Sequence, residues 1–456
     1  LVHFANIDKS YKKHPMIRAM NAMDYDAFVP GNHDFDYGLS LLKHLEEQAD
    51  FPFIAANAVS TENKALRWDP YLIKEVKGVR IGILGITSPG IPKWIPKKYY
   101  KGLDFKASLD TAKKYVPILR GRESCDLIVV AFHGGPRNRH GKSNEGINNG
   151  YELARSVEGI DLLLLGHTHQ RVAFDVVEDA LLMQAGSYSS ALAEARIRLK
   201  QGEGGFEVVS KTGRIIKNGA KIPKDEELDF LLQSYRQDTI DRLDSQLATM
   251  NKGVSLARAA YEDNPLMDLI QRIQLKASGA DLSVASVFDP YVELENGITW
   301  SDLFKLYPFE NDLYVVKMNL AQIDEFLENA ASAYVCKGNT IAIDEDFPLF
   351  NLDQLQGLDY VIDPHRPKGE RVEFFFGKQK AASKTRVFDV AMNSYRAGGT
   401  GGYDMLRGLP IISKSERSIR DIIADYLQAQ GHILLDTDGN WKIERKSGET
   451  FSSLVK

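Results

Sequence analysis

The sequence predicts two domains, an N-terminal α/β sandwich and a C-terminal α+β domain, joined by a helix. Three observations carry this. Up to about residue 217, short apolar strand-like runs alternate with segments apolar at helical spacing, the signature of an α/β fold. Residues 221–250 then form one long helical pattern without chemistry-bearing side chains. Beyond it, helical and strand patterns mix without regular alternation around a very Gly-rich loop. The expected boundaries are 1–220, 221–250 and 251–456, and 456 residues are enough for this organisation.

Composition narrows the function classes. Hydrophobic content of 43% and charged content of 26% are ordinary for a globular chain. A net charge of −5 supplies no basic field for gripping a nucleic-acid polymer. Two cysteines, Cys125 and Cys336, fall in different expected domains and exclude a disulfide framework. No run is long and apolar enough to span a bilayer. No signal peptide is visible in the sequence as it stands.

In chain order, residues 10–23 read as a helix with Met16, Ile17, Ala19, Met20 and Met23 on one side. Residues 25–30 read as a short buried strand, followed by Gly31-Asn32-His33-Asp34-Phe35-Asp36-Tyr37-Gly38 and a helix from Leu39. Residues 51–58 read as the next strand, closed by Asn57, and 71–76 with 79–86 as a hairpin around Lys77-Gly78. Residues 87–98 are Pro-rich and loop-like, of the kind that rims a site. A helix over 109–118 precedes the strand-like run 126–132, which ends in His133-Gly134-Gly135. After a polar loop over 137–150 comes a helix over 151–157. The run 161–165 ends in Gly166-His167-Thr168-His169. Residues 180–185 and 191–199 finish the sheet, and 206–217 add edge strands.

Three apolar strands thus end in clusters of Asn, His and Asp. One such loop is most often only a turn. Three at the carboxyl ends of strands are how a metal site is assembled from distant sequence. Imidazole, amide and carboxylate donors suit divalent Mn, Zn, Co or Fe. Two such ions roughly 3.5–4 Å apart clamp phosphate oxygens and acidify water. A neighbouring histidine held by a carboxylate completes charge stabilisation.

Gly-Asn-His-Asp, His-Gly-Gly and Gly-His-Thr-His together resemble the calcineurin-like metallophosphoesterases. The longer run through Gly38 resembles their two-domain 5′-nucleotidase branch. The resemblance implies that Asn32, His133 and His167 hold one metal and His169 the other. It implies that His33 stabilises the phosphate transition state and that Asp36 orients His33. It also implies a first strand ending in Asp-x-His and a second ending in Gly-Asp, which the sequence does not carry before Ser10. Asp8 is the candidate substitute. Residues are expected to be omitted there, visible as a break in the chain before Tyr11. If those ligands are truly absent, a one-metal or metal-free site is expected, with two-metal catalysis lost.

In the C-terminal domain, helices are expected over 266–279, 320–334 and 418–430, and strands over 282–285, 313–318 and 385–392. Phe309, near Asn311, and Tyr395, within Asn393-Ser394-Tyr395-Arg396-Ala397-Gly398-Gly399, are the candidate base clamp. Glycines let such a loop approach a ligand, and aromatics can sandwich a flat base. Both segments resemble the nucleotidase C-terminal domain, which implies that Phe309, Asn311, Asn393, Tyr395, Arg396, Gly398 and Gly399 meet the substrate. Asn393–Ala397, Asp263-Asn264-Pro265-Leu266 and Gly279-Ala280-Asp281 look closer to the 2′,3′-cyclic-nucleotide phosphodiesterase/3′-nucleotidase branch. An Arg-bearing Gly-rich loop before Trp300, typical of 5′-nucleotidases, is not evident.

The expected function is therefore metal-dependent hydrolysis of nucleotide phosphoesters, 2′,3′-cyclic and 3′ in particular. The alternatives are a 5′-nucleotidase or nucleotide-sugar hydrolase, and a catalytically impaired nucleotide-binding protein. The resemblance implies a nucleotide or nucleoside partner and a periplasmic, cell-wall or secreted location. It leaves the oligomeric state open.

Overall fold

The computed structural model describes residues 13–62, 68–137, 146–202 and 204–453. The stretch before Tyr11, where a break and a role for Asp8 are expected, lies outside them. The chain forms two compact units, Leu1–Thr239 and Ile240–Lys456.

The N-terminal unit is built on one six-stranded sheet. Its strands are β1 (Tyr71–Val76), β2 (Val79–Ile86), β3 (Leu127–Phe132), β4 (Leu162–Leu165), β5 (Arg171–Val177) and β6 (Ala180–Ala185). Their order is β1-β2-β3-β4-β6-β5. The four central strands run parallel, and each edge strand is antiparallel to its neighbour. Burial on both faces explains why β3 and β4 read as unbroken apolar runs.

Helices α3 (Ser108–Arg120) and α4 (Gly150–Ser156) cover one face. Ala112, Val116, Leu119 and Leu153 pack there on Leu84, Ile128, Val130 and Leu163. The other face carries a long antiparallel hairpin, β7 (Ala191–Gly202) with β8 (Gly205–Lys217). Ala193, Ala195, Ile197, Leu199 and Val208 meet Leu127, Val129, Leu181 and Met183 there. This corrects the expectation that residues 191–217 extend the sheet edge. Their alternation of apolar and charged residues serves a face of the sheet, not its border.

Before the sheet lie α1 (Pro15–Ala22) and α2 (Leu39–Glu46). They pack on a separate core around Phe35, Leu42, Leu45, Phe51 and Phe53. Pro15 starts α1 where its missing N–H costs nothing. The strands expected over 25–30 and 51–58 reduce to single bridges, Phe28 with Phe53 and Ile54 with Asp69, and a short strand Ala58–Ser60. The buried side chains of Phe51, Phe53 and Ile54 fill this core, which is what made the segment look like a sheet strand. Helix α5 (Glu226–Asp244) follows the hairpin, and Arg18 donates to the Tyr235 hydroxyl at 2.9 Å.

The C-terminal unit contains α6 (Pro265–Ser278), β9 (Leu282–Ser286), β10 (Asp312–Asn319), α7 (Leu320–Ala331), β11 (Asp353–Gln356), β12 (Val387–Asn393), β13 (Ile411–Ser418) and α8 (Ile419–Gln430). A five-stranded mixed sheet runs in the order β11-β9-β12-β10-β13. Its helices are stopped by local chemistry. The Asn264 side chain accepts from Leu266 N–H ahead of Pro265, and Gly279 closes α6 in the left-handed region at φ 69°. Asn319 and Gln322 form a reciprocal cap on α7, and Ser418 accepts from Asp421 N–H at the start of α8. One core packs α7 against the sheet, and a second packs α6 and α8 against it.

Candidate active site

His133 follows β3 directly and His167 follows β4 by two residues. Because Phe132 and Leu165 are register partners, both imidazoles leave the carboxyl ends of adjacent parallel strands. The loop carrying Asn32 is drawn to the same level, where the buried Thr87 hydroxyl, just past β2, donates to the Pro30 carbonyl at 2.6 Å. Phe35, fully buried, roots the loop from the other side. A side chain at Gly31 would place its Cβ 2.6 Å from the His133 ring, so only glycine allows this approach.

The result is a convergence of donors. Asn32 Oδ1 lies 3.0 Å from His133 Nε2 and 3.2 Å from His167 Nδ1. The two imidazole rings are 5.4 Å apart between centroids. Burial pulls both imidazoles down, His133 to about 3 and His167 to about 4, and the neighbouring histidines add to it. Both are therefore neutral at pH 7 and offer nitrogen lone pairs. His167 and His169 hold positive φ, 67° and 56°, which is costly for side chains of this size and clusters at functional sites. Gln184 of β6, 1% exposed, holds this strained turn. It donates to the Gly166 carbonyl at 3.0 Å and accepts from the Thr168 hydroxyl at 3.0 Å.

His33 stands beside this group with its side chain 62% exposed, over a buried Asp36. Its Nδ1 lies 3.0 Å from Asp36 Oδ2. A carboxylate only accepts, so the proton sits on Nδ1 and leaves Nε2 outward. Desolvation acts to lower the His33 pKa. The Asp36 hydrogen bond and the charges of Asp36 and Asp34 outweigh it, and the net shift is upward.

Asn32, His133 and His167 fit a divalent cation. They are three mutually close donors, two of them neutral imidazoles, and their types match borderline ions. Among the described residues, His169 does not join them in a three-ligand group within 4.8 Å. Its ring lies 5.7 Å from that of Tyr188, which is 91% exposed. Sequence reasoning missed Trp94, which stacks on His167 at 4.9 Å, along with Tyr188 and Gln184. The Pro-rich rim over 87–98 pointed toward Trp94. Nothing in the sequence pointed to the other two. Asn57, fully buried, bonds Thr87 and Lys106 backbone groups and is structural.

In the C-terminal unit, Phe309 and Tyr395 belong to loops at one end of the sheet. Leu313 of β10 pairs with Asn393 of β12, and the Ser394 hydroxyl accepts from Asp312 N–H at 3.2 Å. Phe309 is 38% exposed and packs edge-on against Phe288, another residue that sequence reasoning missed. Phe288 lies just beyond β9, which runs parallel to β12 and so ends on the same side. Tyr395 is half-buried, as is Asn311.

Two buried arginines anchor these loops. Arg420 pairs with Glu310 and donates to the Tyr307 and Pro308 carbonyls, holding the Phe309 loop. Arg396, 1% exposed, pairs with Asp353 at 2.9 Å and donates to the Phe350 and Thr400 carbonyls and Asn351 Oδ1. Arg396 and Asn393, expected to meet substrate, are both buried and bonded within the protein. The Asn393 side chain, also buried, is used to accept from Arg396 N–H at 2.7 Å. Gly399 takes a φ of 72°, and Gly401, at 73°, leaves no room for a Cβ beside Asn351. Gly398 is exposed at the loop surface.

The comparisons with known proteins agree with this architecture. Residues 6–171 match the calcineurin-like phosphoesterase family and residues 245–408 the 5′-nucleotidase C-terminal domain. A trifunctional nucleotide phosphoesterase protein, YfkN, from Bacillus subtilis is 24% identical over 97% of this chain. The chain spans only 34% of that protein's length. A 2′,3′-cyclic-nucleotide 2′-phosphodiesterase/3′-nucleotidase from Haemophilus influenzae is 25% identical over 95% of this chain and 76% of its own. Among solved structures, a putative 5′-nucleotidase from Staphylococcus aureus superposes with a TM-score of 0.80. It is 24% identical and matches over 94% of this chain and 86% of that one. With His133 and His167 at the ends of adjacent parallel strands in the matched N-terminal domain, and the matched C-terminal domain in the other unit, the chain belongs to the 5′-nucleotidase family of calcineurin-like phosphoesterases.

Proposed function

We propose that this chain hydrolyses nucleotide phosphoesters, with 2′,3′-cyclic nucleotides and 3′-nucleotides as its preferred substrates. The observation that supports the reaction class best is the meeting of Asn32, His133 and His167, with the His33–Asp36 pair beside it. Asn32, His133 and His167 would hold one divalent cation, and His169 would contribute to a second. Such cations, when bound, acidify water and neutralise phosphate charge.

The remaining work falls to side chains of the chain. Asp36 fixes the His33 tautomer and keeps its ring aimed outward. Protonated at Nε2 as well, His33 donates to a phosphate oxygen or gives its proton to the departing ribose oxygen, which leaves as the hydroxyl. Buried His133 and His167 resist protonation and keep their donor atoms available. Trp94, stacked on His167, limits how far that ring can turn. For substrate recognition, Phe309 and Tyr395 supply flat apolar surface, each on a loop fixed by a buried arginine.

The preference for cyclic and 3′ esters rests on the Asn393–Ala397 and Asp263–Leu266 segments and on the Haemophilus relative. A compartment outside the cytoplasm belongs to the same proposal; among the described residues no helix is long and apolar enough to cross a membrane. The test is turnover with added Mn or Zn on 2′,3′-cyclic AMP, 3′-AMP and 5′-AMP. The first two should be cleaved fastest. Preference for 5′-AMP would move the chain to the 5′-nucleotidase reading, and nucleotide binding without turnover would make it a binding protein.

A further inference from the structure

A second group of oxygen donors lies in the C-terminal unit, on residues that the proposed reaction does not use. Asp268 stands in the first turn of α6, Asp263 just before its cap, and Asp438 in the turn that precedes the strand Trp441–Ile443. One carboxylate oxygen from each lies within 4.8 Å of the other two. The Asp438 N–H donates to Asp268 at 3.2 Å and the Gly439 N–H to Asp263 at 2.8 Å, so the turn is clasped to the start of the helix. Asp268 is only 2% exposed. Among the described residues, none of the three forms an ion pair. The neighbouring Arg272 is engaged by Asp436 at 2.8 Å. Three carboxylates this close, one of them out of water, call for a shared proton or a cation between them.

An independent observation points to what joins them. The side chain of Gln356, 5% exposed, reaches the cluster and donates from its amide nitrogen to Asp438. Its carbonyl oxygen is buried and has no hydrogen-bond partner. Ser283 lies directly opposite Gln356 in the β9–β11 pairing, so both side chains stand on one face of the sheet. Ser283 alternates with Val284 and shares its face with Ala285, which packs against α6. Its hydroxyl is fully buried and likewise has no partner. Gln271, one turn beyond Asp268, adds a third buried oxygen without one. Native interiors leave few such atoms unsatisfied, and the side chain of one of them, Gln356, is bonded to the carboxylate cluster itself.

Carboxylate, amide and hydroxyl oxygens, with no imidazole or thiolate, are the donor set of a hard cation. We propose that Asp263, Asp268, Asp438 and Gln356 form a structural site for a divalent cation of the calcium type, which ties the turn around Asp438 to the start of α6. Its role is to hold the C-terminal fold, and it is independent of the metal centre at His133 and His167.

The test is calorimetric titration of the chelator-treated chain with calcium in a His133→Ala/His167→Ala background, which disables the other centre. One saturable site and a rise in Tm are expected. Asp438→Ala, at an exposed position that leaves the core intact, should weaken calcium binding by about 10-fold or more and remove the Tm rise. Manganese soaked into crystals should give an anomalous peak among the three carboxylates. Absence of saturable binding, or binding that Asp438→Ala leaves unchanged, would overturn the proposal. So would stabilisation by acid with no response to calcium, which would make the shared group a proton.

Discussion

The two regions that carry the candidate chemistry are built in opposite ways. In the N-terminal unit the functional atoms are short side chains placed directly by backbone. Asn32, His133 and His167 each lie within two residues of a glycine, and the turn of His167 and His169 holds positive φ. In the C-terminal unit the functional surfaces are large rings on loops whose backbone is lashed down from behind by buried Arg396 and Arg420. Ligand atoms must be placed to a few tenths of an ångström, and a tight turn does that. A stacking ring tolerates more slack but needs a stiff loop. The first design concentrates sensitivity in the candidate ligands, the second in the buried arginines behind the rings.

The largest effect that follows is on stability. Arg420→Met should cost about 3–5 kcal/mol in urea unfolding, because it breaks a buried ion pair with Glu310 and removes the donor to the Tyr307 and Pro308 carbonyls. A cost near zero would mean that the Phe309 loop is held by something else. Next comes chemistry. His33→Asn should lower kcat by about 10²–10³-fold while bound metal, measured by elemental analysis, is unchanged. His167→Ala should lose metal and activity together. If His33→Asn also lost metal, His33 would be a ligand, and the contrast between ligand and stabiliser within this unit would fail. Smaller again is recognition. Tyr395→Ala should raise KM for nucleotides by the equivalent of about 1–3 kcal/mol and spare p-nitrophenyl phosphate. Equal losses on both would show that the loop shapes the metal centre instead of reading a base.

The same contrast explains what was legible in the sequence. The loops at His133 and His167 could be read because each motif abuts the apolar strand that positions it, whereas the Asn32 loop was legible from its spelling although Thr87 and Phe35 place it. The hairpin 71–86 and the caps of α6, α7 and α8 are equally local, and their boundaries fall within a few residues of expectation. Gln184 and Phe288 were invisible because their importance arises from contacts between remote segments, and the Pro-rich rim gave the neighbourhood of Trp94 but not its stacking on His167. Arg396 is ambiguous in the sequence for a related reason. An arginine beside a Gly-rich loop has the same spelling whether it faces a phosphate or the carboxylate of Asp353, and only burial decides. The residues 191–217 show a further limit, since strand periodicity does not say whether a strand joins a sheet or packs on it.

The smallest effect expected is a divergence in pH dependence between the units, and it sharpens the comparison without altering any side chain. Burial lowers His133 to about 3 and His167 to about 4, below the ordinary histidine value of 6.5. The unfolded chain therefore binds more protons there, and the metal-free N-terminal unit should lose stability as pH falls from about 6.5 toward 4. His33, raised instead, loses its contribution only as pH climbs above 6.5. In the C-terminal unit, burial and then the charges of Asp263 and Asp438 push Asp268 up to about 7. Here the folded state binds the extra proton, so without a cation stability should fall as pH rises from about 4 to 7. Arg272, paired with Asp436, does not offset this charge. Hydrogen exchange in chelator, corrected for intrinsic rates, should thus show the two units moving in opposite directions between pH 5 and 7. Calcium should flatten the C-terminal slope and leave the N-terminal one in place. Parallel slopes in both units would mean that the carboxylates around Asp268 are already neutralised by the protein itself.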